Sequence, residues 1–198
     1  MIAAIVLAAG RSRRMGTQKL LLPYAGRTVI GHIVEQVAAA PVGRIIVVTG
    51  ADFDAVMGAL HGRDVTFVRN PAAEAEMLSS VRCGLRGLPE SCRAVVVVLG
   101  DQPGVYAGLI AALIEAHLES GRGIVVQTFG GRRGHPVLIS ARYFEDVLTG
   151  FDDVGLRGLV RAHPEDVLEV TAGSEAVLMD LDTPEDYRRA TGQAQNET

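Results

Sequence analysis

The chain has 198 residues, 48% of them hydrophobic and 21% charged, which is enough apolar material for one packed domain and excludes a disordered polymer. A formal charge of −4 argues against a nucleic-acid-binding surface, and no apolar run reaches the roughly 18–20 residues of a membrane span. Two cysteines, Cys83 and Cys92, are too few and too far apart for a disulfide framework or a zinc site, so the expected compartment is the reducing cytoplasm.

Short apolar runs predict strands over Ile2–Leu7, Arg44–Thr49, Asp64–Val68, Ala94–Leu99, Gly123–Gln127, Val137–Ile139 and Val167–Val170. Helical patterns lie between them at Val29–Ala40, Phe53–Leu60, Leu78–Leu88, Tyr106–Glu119 and Ala141–Leu148. Strands alternating with helices predict an α/β architecture of three layers, a mostly parallel sheet with helices on both faces. Val95–Leu99 is apolar without alternation, which suits the centre of such a sheet. Gly130 and Gly131, followed by the strand-like stretch around His135, predict a late antiparallel hairpin and hence a mixed sheet. Thr183-Pro184-Glu185-Asp186 reads as a helix start, with Thr as cap, Pro at the first position and acid in the first turn. There is no repeat or linker; the expected organisation is a single domain over 1–191 and a disordered tail over 192–198.

The chemistry concentrates after the first strand. Small residues Ala8, Ala9 and Gly10 are followed by Arg11, Ser12, Arg13, Arg14 and Lys19 within one short segment. Low side-chain bulk lets a ligand approach backbone N–H groups, and the cations add charge-assisted contacts, so the segment reads as a triphosphate site. It is neither the P-loop spacing, because Gly10 is nine residues from Lys19 and Leu20 follows, nor G-x-G-x-x-G. Gly100-Asp101-Gln102-Pro103 follows the predicted central strand, where open α/β sheets bind ligands. A carboxylate there either caps the next helix, expected near Val105, or faces a triphosphate as a Mg²⁺ ligand. No Gly-x-Ser-x-Gly, His-Glu-x-x-His or Cys-x-x-Cys occurs, so hydrolytic and zinc mechanisms have no support, and His32, His117 and His163 receive no role.

The string LAAGRSRRMGTQKLLLP (Leu7 to Pro23) resembles the signature of nucleotidyltransferases with a glycosyltransferase-A-like, Rossmann-like fold, and is most similar to the molybdenum cofactor cytidylyltransferases. Guanylyltransferase relatives usually carry Gly where this chain has Ala9. The resemblance runs from Ile2 to about Arg189. It implies a Mg²⁺-dependent enzyme moving CMP from CTP to the terminal phosphate of molybdopterin with release of pyrophosphate. Arg14, Lys19 and Asp101 are then catalytic. The nucleotide lies against Leu7, Ala8, Ala9, Gly10, Arg11, Ser12, Arg14, Lys19, Asn70, Ser79, Ser80, Gly100 and Asp101. The metal is held by Asp101 and Asp180, with Asp182 the alternative to Asp180; alternation along an extended segment puts both on one face.

Asn70-Pro71 and Met77-Leu78-Ser79-Ser80-Val81-Arg82-Cys83-Gly84-Leu85 resemble the base and ribose loop, where a hydroxyl at a helix start either caps or contacts ligand. Glu76 and Leu78 depart from the usual Gly-Met-Ser-Ser-Ser, and Glu does not replace a positive-φ Gly without strain. Gly134-His135-Pro136 and Asp152-Asp153-Val154-Gly155-Leu156-Arg157 resemble segments implied to shape the pterin pocket, together with Gln102 and Pro103 after Asp101. Arg157 and Arg161, four apart, equally suit a solvated helix face. Rival readings are a guanylyltransferase or nucleotide-sugar-type transferase on the same fold, or a non-catalytic cofactor carrier. The implied partners are the small-molecule substrates and a transient contact with a molybdoenzyme or its chaperone.

Overall fold

The computed structural model describes residues 1–10, 15, 18–72 and 76–194. Its centre is a seven-stranded sheet in the order β5-β4-β1-β6-β8-β7-β9. The strands are β1 (Ile2–Ala8), β4 (Arg44–Thr49), β5 (Thr66–Arg69), β6 (Ala94–Leu99), β7 (Ile124–Phe129), β8 (Arg132–Ser140) and β9 (Val167–Thr171), and β2 (Pro23–Tyr24) and β3 (Arg27–Thr28) form a separate hairpin. β5, β4, β1 and β6 run parallel. β8 is antiparallel to both β6 and β7, and β9 returns parallel to β7. The mixed sheet and the late hairpin therefore follow the sequence pattern, and β6 occupies the middle position, fourth of the seven strands.

Alternation along β1 divides the core. Ala4, Val6 and Ala8 face one helical layer, with α1 (Val29–Ala38) and α4 (Ala107–Ser120). Ile5 and Leu7 face the other, with α3 (Met77–Arg86), α5 (Phe144–Thr149) and α6 (Leu156–Ala162). α2 (Phe53–Ala59) completes the first layer. Val95–Val98 are fully buried on both faces, as a parallel-sheet strand covered by helices should be. Gly84 of α3 lets that helix close onto β1, since a Cβ there would lie 2.7 Å from Ile5 Cγ2.

Several boundaries differ from the sequence expectation for local reasons. The strand expected from Asp64 begins at Thr66, because Arg63 and Val65 first close a turn onto Leu60 and Arg63 carbonyls. The helix expected over Ala141–Leu148 opens with a 3-10 turn, Ala141–Tyr143, before α5. β8 is longer than the apolar core of its pattern, because the register shift at Val126/Gln127 lets the polar Arg132–Gly134 stretch keep pairing with β7. The hairpin β2–β3 was not anticipated; its two central residues, Ala25 (φ +46°) and Gly26 (φ +76°), both lie in the left-handed region that two-residue hairpin loops require.

The last helix, α7 (Pro184–Ala194), begins as its sequence signals. Thr183 and Asp186 make a reciprocal cap: the Asp186 amide donates to Thr183 Oγ1 at 3.2 Å and the Thr183 amide to Asp186 Oδ2 at 2.9 Å. The helix carries on through Gly192 to Ala194, where a tail was expected. A single Gly costs about 1 kcal/mol in a helix, too little to end one already nucleated.

Candidate active site

The site forms where β1 and β6 end side by side. Leu7 lies opposite Leu99, and the Gly100 amide extends the pairing by donating to Leu7 O at 2.9 Å. Only glycine fits that approach, since a Cβ at Gly100 would stand 2.7 Å from Leu7 O. Asp101 follows at once, in a turn beyond the strand. It does not cap α4: that helix begins at Ala107 with Tyr106 as N-cap and no side-chain cap bond.

Lys19 enters the same space from a 3-10 turn, Lys19–Leu21. Gln18 accepts from the Leu20 amide at 3.4 Å, Leu20 is driven into the core, and Lys19 is left buried with its ammonium turned to the strand ends. Lys19 Nζ lies 2.5 Å from Asp101 Oδ2 and 3.1 Å from Asp182 Oδ1. Burial by itself would lower the Lys19 pKa, but the two carboxylates outweigh it and hold it above its ordinary value, so Lys19 is a fixed positive charge.

Asp180 and Asp182 reach this point through a backbone tie. The Leu181 amide donates to Asp101 O at 2.9 Å, and the Leu181 side chain is buried against Val29 and Ala190. The segment is extended but is not a strand of the sheet. Asp180 Oδ1 accepts from Gln102 Nε2 at 2.7 Å. Its pKa is raised, first by burial and then by the Asp101 and Asp182 carboxylates, against the opposing Gln102 bond and Lys19 charge. Both candidate aspartates are thus at the site, Asp182 bonded to the ammonium and Asp180 to the amide of Gln102. Among the described residues no group of three or more His, Cys, Asp or Glu has the geometry of a preformed metal cluster.

Two openings lie at this end of the sheet. A small pocket of about 300 Å³ is lined by Leu7, Ala9, Gly10, Lys19, Leu20, Met77, Ser80, Leu99, Asp101 and Asp180. A larger cleft of about 910 Å³ runs along the hairpin side, with Gly134, His135, Asp153 and Arg157 in its wall and Met77 common to both. Four arginines (Arg132, Arg133, Arg157, Arg161) face it against three carboxylates (Glu76, Asp153, Glu169), over an apolar floor that includes Leu78, Val126 and Val137. Arg133 is paired with Glu169 at 2.7 Å. Arg161, which the sequence left as equally suited to solvent, is one of the cleft residues.

His135 shows the character of that cleft. Gly134 before it is packed so closely that a Cβ would meet Val177 O at 2.2 Å. The imidazole Nε2 is buried from solvent and has no hydrogen-bond partner among the described residues. Burial, helped by the Arg157 charge and opposed by Asp101, lowers the His135 pKa to about 4, so the ring is neutral at physiological pH.

Other expected contacts fall elsewhere. Ala8 faces the core of the opposite layer, as alternation along β1 requires, and does not line the pocket. Asn70 is buried; its amide donates to Ser79 Oγ at 2.9 Å and Ser80 Oγ at 3.0 Å, and its carbonyl oxygen accepts from the Ala72 amide at 2.9 Å. These bonds tie Asn70 to the start of α3 and to the loop before it. The Ser79 hydroxyl donates back to the Glu76 carbonyl at 2.9 Å, whereas Ser80 lines the small pocket. Glu76 sits at φ −61°, so no positive-φ glycine is needed there and the substitution is free of strain. Gln102, Pro103 and Pro136 are buried and line neither opening; Gln102 is turned inward to Asp180. Arg11, Ser12 and Arg14 lie outside the described residues.

Residues 4–167 match the MobA-like NTP transferase domain. The chain belongs to that family. It is 29% identical over 202 residues, 95% of each chain, to nicotine blue oxidoreductase of Paenarthrobacter nicotinovorans. A nucleotidyl transferase from Methanothermobacter superposes with a TM-score of 0.87 at 28% identity, over 100% of this chain and 99% of that one. The manganese complex of Rv0371C from Mycobacterium tuberculosis H37Rv superposes at 0.80 with 30% identity, over 96% and 98%. The chain spans only 28% of the length of the bifunctional protein GlmU of Pelotomaculum thermopropionicum, to which it is 33% identical over 132 residues. The protein is therefore a nucleotidyltransferase with the α/β fold of that family, in line with the resemblance carried by its N-terminal signature. Among the described residues no helix is long and apolar enough to cross a membrane.

Proposed function

We propose that the protein transfers CMP from CTP to the terminal phosphate of molybdopterin, with Mg²⁺ as the metal and pyrophosphate as the leaving group. One observation carries the reading: a buried lysine, held by Asp101 and Asp182, lines a small pocket that shares Met77 with a large arginine-lined cleft. The small pocket takes the nucleotide, where Ala9 and Ser80 border the base side and the cations of the first loop meet the phosphates. The cleft takes the acceptor, whose anionic groups suit its arginines and whose ring system suits its apolar floor.

The metal fits this donor set. Asp101 and Asp180, with Asp182 the alternative, are the carboxylates that would hold it, and Asp180 is already raised, first by burial and then by the Asp101 charge. Protein donors this few suit an ion that takes its remaining ligands from phosphate oxygens and water. When bound, Mg²⁺ supplies charge neutralisation at the phosphates.

The acceptor's phosphate has its second pKa at about 6 and is largely dianionic at neutral pH, so its oxygen needs no general base. That oxygen forms the new bond to the α-phosphorus as the bond to the bridging α–β oxygen breaks. Lys19 offsets negative charge on the departing pyrophosphate, and Arg14 is assigned the same duty from its place in the signature. Catalysis is then alignment and electrostatics. CTP as co-substrate puts the reaction in the cytoplasm, and the nucleotide-bearing cofactor passes onward to a molybdoenzyme or its chaperone.

The test is pyrophosphate release with molybdopterin and each of CTP, GTP, UTP and ATP at equal concentration. CTP is expected to give the highest kcat/KM. The Ala9 methyl discriminates against the larger purine by only about 10–200-fold, so GTP is used poorly rather than refused, and Ala9→Gly narrows the gap. A higher kcat/KM with GTP makes the protein a guanylyltransferase; release only with a sugar 1-phosphate makes it a nucleotide-sugar enzyme. The full-length likeness to the Paenarthrobacter oxidoreductase supports a second reading, reduction of a heterocycle in the large cleft. Reduction of an acceptor by a reduced pyridine nucleotide, without pyrophosphate release, would establish that one instead.

A further inference from the structure

We propose that Arg82 is a positioning residue for the acceptor: it pins the loop between α5 and α6 in the one conformation that presents Asp153 and Arg157 to the large cleft. The inference rests on the reading of that cleft as the acceptor site.

Arg82 belongs to α3, the helix that begins with Met77 and Ser80 at the small pocket. Its side chain is only 17% exposed, and its guanidinium points away from the nucleotide side. Nε donates to Val147 O at 2.8 Å and Nη2 to Gly150 O at 2.6 Å. These carbonyls end α5, where the last acceptors of a helix have no partner within it and favour a cation. Nη1 donates to Asp152 Oδ1 at 2.5 Å, but that carboxylate is 71% exposed, and a pair so solvated holds little. The two carbonyl contacts are the hold.

What they hold is a strained turn. Phe151 has φ +71°, left-handed backbone at a bulky residue, which persists only where the surroundings dictate it. Arg82 fixes the carbonyl before it. The Phe151 carbonyl accepts from the amides of Val154 (3.2 Å) and Gly155 (2.8 Å). The ring packs where α6 has no side chain: a Cβ on Gly158 would fall 2.5 Å from Phe151 Cδ1 and 2.5 Å from Val154 Cγ2. Gly155 (φ +62°) then turns the chain into α6. Every residue from Asp153 to Arg157 lines the cleft, so the wall has the shape that this turn gives it. Lysine at position 82 would offer a point charge in place of a fork and could not serve two carbonyls in the same way.

The experiment uses the full chain with Arg82→Ala and Arg82→Lys, read by amide exchange and by kinetics. In Arg82→Ala the Val154 and Gly155 amides are expected to exchange at least about tenfold faster, with the first turn of α3 unchanged. The KM for molybdopterin rises about tenfold or more while the KM for CTP stays within about twofold. Arg82→Lys falls between, and it carries the test if the alanine variant does not fold. Unchanged exchange at Val154 and Gly155, or equal rises in both KM values, overturns the inference. A wild-type protein that binds molybdopterin without turning it over refutes the proposed reaction but leaves Arg82 to be judged by exchange and by molybdopterin affinity; affinity equal in wild type and Arg82→Ala overturns it then.

Discussion

The small pocket and the large cleft share Met77, yet they are built differently. The small pocket sits on the ends of parallel strands that are mostly buried, and its charges are few and close. The cleft is walled by an antiparallel hairpin and by a turn with strained backbone, and its charges are numerous and mostly at the rim. A rigid floor suits the step common to the family, where atoms must be aligned to within a fraction of an ångström. A wall made of loop and hairpin can vary in sequence without disturbing that floor. Chemistry on one side and selectivity on the other should therefore respond differently to substitution.

The largest effect belongs to the small pocket. Asp101→Ala or Asp101→Asn should cut Mg²⁺-dependent pyrophosphate release about a hundredfold or more with the fold intact, since metal-held charge stabilisation is worth several kcal/mol. Lys19→Ala should follow, at about 1.5–3 kcal/mol for a lost charged partner, seen both in triphosphate affinity and in turnover. Arg11→Ala should be mild by comparison. Equal losses from Lys19→Ala and Arg11→Ala in steady-state assays would reduce the ordered site to a diffuse basic patch.

The same contrast explains what could be read from the chain. The small pocket was legible because each component is local: a strand end, small residues, a lysine, and an aspartate at the end of the central strand. Its pairing of Leu7 with Leu99 joins two apolar runs that can be neighbours in a parallel sheet. The late aspartates were legible as a segment but not as individuals, because a backbone bond from Leu181 to Asp101, invisible in the sequence, sets their directions. Asn70 and Gln102, expected at the ligands, bond the neighbouring side chains Ser79 and Asp180; a polar residue near a site looks the same in sequence whether its partner is a substrate or a side chain. Arg82 lies in the segment likened to the base and ribose loop, and nothing in that segment signals its part in the α5–α6 loop. Its contacts span 65 to 70 residues, and its two carbonyl partners are backbone atoms, which any sequence supplies.

In the cleft, His135 gives a measurable pH dependence. Its folded pKa of about 4 lies below the unfolded value of about 6.5, so between those limits the unfolded chain binds the additional proton. Stability should therefore fall as pH drops from about 6.5 towards 4, by up to about 3 kcal/mol, and be level above. Thermal unfolding of wild type and His135→Gln across this range checks it: the glutamine variant should lose the inflection. An unchanged acid limb in His135→Gln would assign it to carboxylates instead.

The smallest effect returns to the small pocket and concerns the raised Asp180. A carboxyl whose folded pKa exceeds its unfolded one penalises the fold once it ionises, above its folded pKa, and the penalty vanishes as pH falls below about 3.8. Asp180→Asn removes that charge while keeping an oxygen that can accept from Gln102. Without metal, the variant should unfold at a slightly higher temperature than wild type at pH 7. The gain should be well under about 1 kcal/mol, because Asp180 retains solvent exposure that screens its neighbours. With Mg²⁺ added the order should reverse, since a ligand that binds only the folded state stabilises in proportion to its affinity, and the variant has lost a donor. A scan of unfolding temperature against Mg²⁺ concentration would show the two curves crossing. Parallel curves would remove Asp180 from the metal site and leave Asp182, already bonded to Lys19, as the partner of Asp101.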